Sequence, residues 1–206
     1  MTPDAKPSPE QVIDARELPS YGYGHRSLMW WGTFGMIAIE GTVFALACMV
    51  YFYVRTRVDE WPPDALPPEL VWGTANTILM LLSCIPNAWT KRAAEAEDLA
   101  KVRIGIWICV AFGVGFMILR IFEFTALNVR WDTNAYGSAV WMLLSLHTMH
   151  VVTDFWDTTV LAVLMMQDKM EGKRFVDVSE NGMYWYFVVL AWLPIYAIIY
   201  FGARVH

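Results

Sequence analysis

Five long apolar runs dominate this chain, and each has the length that a lipid bilayer demands. A hydrocarbon core of about 30 Å takes about 20 apolar residues of helix to cross. The runs at residues 28–54, 70–90, 103–127, 137–167 and 182–203 all qualify. Within lipid every backbone N–H and C=O must be satisfied inside the segment, so runs of this length are predicted to be helices. Composition agrees. Of 206 residues, 57% are hydrophobic and 15% aromatic, and the mean hydropathy is +0.38, outside the balance of a soluble domain. The predicted fold class is all-α integral membrane, with five transmembrane helices as a bundle over residues 28–206 and a polar N-terminal tail over residues 1–27.

The connections are short and polar: "RTRVDEWPPDALPPE" reads as a proline-rich turn, and "TKRAAEAEDLAKVR" and "QDKMEGKRFVDVSEN" as charged loops. The tail lacks the basic start and short apolar core of a cleavable signal, so insertion is expected to rely on the first spanning helix. Lysine and arginine set orientation. Lys6, Arg16, Arg26, Lys91, Arg92, Lys101, Arg103, Lys169, Lys173 and Arg174 fall on one side, against Arg55, Arg57, Arg130 and Arg204 on the other. That bias places the N-terminus in the cytoplasm and the C-terminus outside. A net charge of -5 held in blocks between apolar runs leaves no basic stripe for nucleic acid. Cys48, Cys84 and Cys109 stand singly and read as apolar fillers. Trp30, Trp31, Trp61, Trp72, Trp89 and Trp131 lie near the ends of the runs, where amphipathic rings anchor a helix at the headgroups.

Ionisable groups at bilayer depth are expensive, about 2.5–3.5 kcal/mol each on insertion scales, so each one needs a partner or a watery setting. Glu40 sits roughly 16 Å along the first helix at 1.5 Å per residue. It reads either as part of a proton- or lipid-linked site or as a neutral acid bonded to a neighbouring helix. Arg120 and Glu123 are three apart and suit a helical ion pair that partly snorkels to the interface. Alternatively, one of them reaches a lipid headgroup or a partner subunit. Asn76 can bridge helices through its amide, with Gly73, Thr74 and Ala75 allowing close approach.

The stretch "SLHTMHVVTDFWD" gathers the rest. At 100° per residue, His147, His150, Asp154 and Asp157 fall within an arc of about 80° on one helix face. Such a face could hold a metal, but a His-x-x-His pair needs further ligands from other elements. The remaining histidines, His25 and His206, lie near the termini. The twin Glu-x-x-His pattern of dimetal bundles does not occur. Two histidines of one helix also cannot approach a haem from opposite faces. The residues therefore argue against a metal or haem in this chain.

Taken in order, "GMIAIEGTVFALACMVYFYVR", "EWPP" before "NTILMLLS", "RIFEF" before "YGSAVWMLLSLHTMHV", and "YWYFVVLAWLPIYAIIY" resemble subunit III of the haem-copper oxidases, the cytochrome c oxidase type. The resemblance spans residues 28–203 and fits the short form with five membrane helices. It implies an accessory, non-catalytic subunit that packs against catalytic subunit I and subunit II. It also implies bound phospholipid, support for proton uptake by subunit I, and stability of the oxidase during turnover. No redox centre is expected in this chain, haem and copper belonging to its partners, and the implied location is the cell inner (plasma) membrane.

By motif, Glu40, Glu123, His147 and His150 match the family's lipid- or proton-linked positions, and Trp61, Tyr136, Gly137, Trp185, Trp192 and Tyr196 match aromatic or turn positions. Tyr186 and Val189 stand where the family usually has histidine and aspartate, and Asp154 and Asp157 where it is usually small or apolar. Arg120, Asp154 and Asp157 are thus candidate contacts with a partner. Two alternatives stay open: an accessory protein of a nitric oxide reductase, and a self-sufficient metal-binding enzyme or proton-coupled carrier using His147, His150, Asp154 and Asp157.

Overall fold

The structure, a computed structural model, describes residues 21–63, 65–167 and 172–204, together with Leu18. Most of the N-terminal tail, with Lys6 and Arg16, and also Lys169 and His206, lies outside the described residues. The described chain folds into α1 (Leu28–Arg55), α2 (Leu70–Glu95), α3 (Leu99–Thr125), α4 (Ala135–Leu164) and α5 (Gly172–Tyr196), which ends in a π-helical turn over Ala197–Phe201. Three helices start on side-chain caps that satisfy otherwise orphaned amides. Ser27 Oγ accepts from the Trp30 amide at 3.0 Å, Asp98 from Lys101 at 3.2 Å, and Asn134 from Gly137 at 2.7 Å. Lys101 also pairs with Asp98 at 2.6 Å and holds this exposed carboxyl below its usual range.

α1, α2, α3 and α5 with its π turn are long and apolar enough to cross a membrane. α4 has the length, 30 residues, but its two histidines and two aspartates dilute its apolarity. Of these four, His147 and Asp154 turn inward, at 0% and 4% exposure, His150 is half-buried and Asp157 is exposed.

Two sequence expectations need correction. α5 begins at Gly172 rather than at residue 182, and "TKRAAEAEDLAKVR" is helical through Glu95 and again from Leu99. Hydropathy marks what meets lipid, whereas these helix ends are amphipathic. Phe175, Val176 and Val178 are buried while Lys173 is exposed, and Lys91 pairs with Glu95 at 2.8 Å one turn on.

α2, α3, α4 and α5 close a ring in which each packs on two neighbours, and α1 leans on the outside against α4 and α5. The apolar interior centres on Leu143, Leu144, Val188 and Trp192, with a second cluster around Ala94, Val102 and Met165 at the basic end. Small residues set the closest approaches, as membrane bundles require. A Cβ on Gly73 would lie 2.2 Å from the Tyr200 ring, and one on Gly113 would lie 2.3 Å from Phe155.

At the other end, loops are tied by side chains. Asn134 donates to the Pro63 carbonyl at 2.8 Å and Arg204 to that of Pro68 at 2.6 Å. Trp61, expected as a headgroup anchor, is buried instead, and its indole donates to the Tyr51 hydroxyl at 2.9 Å. Trp31 and Trp131 are exposed, as anchors must be.

Candidate functional site

The polar residues picked out from the sequence fall into three centres. The first lies in the heart of the ring. Arg120 of α3 donates through Nη1 to Glu123 Oε2 at 2.9 Å and meets His147 Nδ1 of α4 through Nη2 at 3.1 Å. Its guanidinium lies 4.4 Å from the Trp192 ring centre. Glu123 accepts two more hydrogen bonds, from Asn76 Nδ2 of α2 at 2.9 Å and from the Tyr200 hydroxyl at 2.7 Å. A buried ion pair is tolerable only when its remaining hydrogen-bonding capacity is met, and here four elements meet it.

Arginine can only donate, so His147 Nδ1 accepts, and the ring proton sits on Nε2, which donates to the Val188 carbonyl of α5 at 3.1 Å. His147 is therefore a neutral cross-brace with both nitrogens committed. The expected snorkelling of Arg120 and Glu123 does not occur: they are 4% and 1% exposed. The short Arg120–Glu123 spacing turns both groups inward onto α2, α4 and the π turn. Asn76 and Gly73 do bridge helices as the sequence suggested.

The second centre lies between α1, α4 and α5. His150 Nδ1 donates to the Leu146 carbonyl of its own helix at 2.7 Å, which leaves Nε2 facing Glu40 Oε1 at 3.8 Å. The other Glu40 oxygen accepts from the Tyr184 hydroxyl at 2.7 Å. Phe44 packs 4.7 Å from the His150 ring. Glu40 and His150 are half-buried rather than sealed, so this carboxyl–imidazole pair is reachable from the bundle surface. Chemically, it can keep one exchangeable proton between an acid and a base at bilayer depth.

The third centre holds Asp154 and Asp157. The Asn181 amide of α5 donates toward both, at 3.4 and 3.5 Å. Asp154 faces the ring interior and Asp157 is exposed. Arg120 and Asp154, offered by the sequence as partner contacts, are thus enclosed by this chain, which leaves Asp157 alone on the surface. Sequence reasoning gave no role to Tyr184, Asn181 or Tyr200. Asn181 fell one residue before the expected start of the last helix. Tyr184 and Tyr200 stand among many aromatics, with only their helix phase relative to Trp192 to single them out.

Among the described residues, no group of three or more His, Cys, Asp and Glu side chains is placed to hold a metal ion. The four polar residues of α4 therefore divide: His147 goes to the first centre, His150 to the second, and the aspartates to the third.

Comparison with known proteins agrees with this architecture. The family model described as cytochrome c oxidase subunit III matches residues 37–204, which include all three centres. The chain is 21% identical to cytochrome c oxidase subunit 3 of Thermostichus vulcanus, over 89% of this chain and 92% of that one. It is 25% identical to the subunit 3 of Synechocystis sp., over 86% and 77%, and 24% identical to that of Pongo pygmaeus, over 81% and 68%. With its apolar helices, the chain is a multi-pass membrane protein that associates with other oxidase subunits in a complex. It belongs to the cytochrome c oxidase subunit III family and is subunit III of a haem-copper oxidase.

Proposed function

We propose that this subunit crosses the membrane five times, with its N-terminus in the cytoplasm, and serves the catalytic chain without a redox centre of its own. Its partners are catalytic subunit I, which carries haem and copper, and subunit II, in the plasma membrane. The α4 crossing is supported by the burial of His147 and Asp154, with the apolar Met149, Val152, Trp156 and Val163 exposed. The orientation is supported by the basic end of the bundle.

The observation that carries the functional reading is the Glu40 carboxyl, set between Tyr184 and His150 on the open side of α1. A partly open acid at this depth is suited to bind a phospholipid headgroup or to exchange a proton near the catalytic chain. In either role it supports proton uptake and prolongs turnover. A metal enzyme built on the α4 face is disfavoured, because both His147 nitrogens and one His150 nitrogen are already hydrogen-bonded. The relatives carry oxidase names, which favours oxygen over nitric oxide as the substrate of the complex.

Glu40→Gln keeps the size and the Tyr184 contact but removes the ionisable group. It is expected to change the bound phospholipid complement or shorten the turnover lifetime of the oxidase, with an unaltered haem spectrum. Unchanged lipid and lifetime would reduce Glu40 to a packing residue.

A further inference from the structure

The third centre opens on a polar space between α2, α3, α4 and α5, distinct from the Arg120 and Glu40 centres. It is a cavity with about 30 Å³ of room for water centres. About 10–15 Å³ suffices for one water, provided two to four polar partners line it. Six do here: Ser83, Asn87, Thr90, Asp154, Thr158 and Asn181. Aromatic and aliphatic side chains, with Cys109, close the remaining walls.

Asp154 is the one acidic group in this lining, and it is 96% buried by its 4% exposure. Its Oδ1 has only the long 3.4 Å contact with Asn181, and its Oδ2 has no hydrogen bond among the described residues. Among the described residues, no lysine or arginine lines the cavity. Among the described residues, the other titratable groups that face Asp154 are Asp157 on its own helix, Cys109 from α3 and Tyr184 from α5, and Asp157 in turn faces Asp177 of α5, which pairs with Arg174. From α2 come only the neutral Ser83, Asn87 and Thr90. An isolated carboxylate here would carry an uncompensated charge, which a bound proton and water would relieve.

We infer that this cavity is a hydrated proton-binding site, with a proton and internal water held at Asp154 and exchanged past Asp157 toward the basic end of the bundle. On release, the Asp154 O–H bond breaks and the proton passes to cavity water. An equivalent proton leaves that water for the Asp157 carboxylate, and no electrons move. Asn181 then donates to the carboxylate left at Asp154, and uptake reverses the steps. The aspartates depart from the positions expected for the family, so this site goes beyond the Glu40 reading.

The test is infrared difference spectroscopy, between two pH values, on the purified oxidase complex containing this chain. The wild type is expected to show a carboxylic C=O band that responds to pH and shifts in D2O. Asp154→Asn should lose that band, and Glu40→Gln should retain it. An unchanged spectrum in Asp154→Asn, or a band that answers to sodium or potassium at fixed pH instead of to pH, overturns the proposal. If Asp154→Asn does not assemble, Asp157→Asn puts the same question. Removing the neighbouring charge should shift the pH midpoint of the band, and an unmoved midpoint overturns the coupling on which the site depends.

Discussion

The Arg120 guanidinium meets His147 Nδ1 at 3.1 Å, and this single contact fixes the state of the imidazole. With Nδ1 accepting, Nε2 carries the proton and reaches the Val188 carbonyl. Nitrogen-15 NMR of histidine-labelled protein should show His147 as the neutral, Nε2-protonated tautomer. His147→Leu should leave the metal content of the complex unchanged, yet weaken the chain by about 1–3 kcal/mol, the usual result of leaving a buried donor unpaired. Loss of haem or copper in this variant would contradict the bracing role.

Gly73 admits the Tyr200 ring, whose hydroxyl in turn binds Glu123. Gly73→Ala should push this ring away and destabilise the subunit by about 1–3 kcal/mol, as overpacking does. Gly32 has no atom within 4 Å of a built Cβ, so Gly32→Ala should be close to neutral. Thermal dissociation of this chain from the complex measures both, and equal behaviour of the two variants would contradict the close approach.

Trp61 pins the loop after α1 through its bond to Tyr51. Trp61→Phe keeps an aromatic ring but loses that bond, and should cost about 0.5–1.5 kcal/mol of stability. An exposed headgroup anchor would tolerate the change, so Trp131→Phe serves as the comparison.

The proposed five crossings would put Glu97 and Lys173 on one face of the membrane and Arg57 and Arg130 on the other. With Cys48, Cys84 and Cys109 replaced by serine, single cysteines at these four positions should react with an impermeant thiol reagent from opposite sides. Glu97 and Lys173 should label from the cytoplasm. Labelling of Lys173 and Arg130 from the same side would remove α4 as a crossing.

Apolar run length was enough to locate the five helices, four of them apolar enough to cross a membrane, because lipid exposure is a property of composition along a single segment. It failed where helices outrun the lipid, as at Gly172 and Glu95, since amphipathic packing there leaves charges in the count. The polar residues at depth were individually legible, but their partners were not. Arg120 and Glu123 look like a local i,i+3 pair, and only the fold shows that His147, Asn76 and Tyr200 complete it. Likewise, the shared face of His147, His150 and the aspartates suggested one site. Small differences in helix phase direct them to three different neighbours.

The central claim is that this chain serves a metal-bearing partner. Its most direct test is affinity purification through a tag on this subunit, followed by mild dissociation and metal and haem analysis of each fraction. A larger haem- and copper-containing chain should copurify, and the haem and copper should stay with the partner chains after this subunit is released. Haem or copper retained stoichiometrically on the released subunit, or purification of this chain with no such partner, would contradict it.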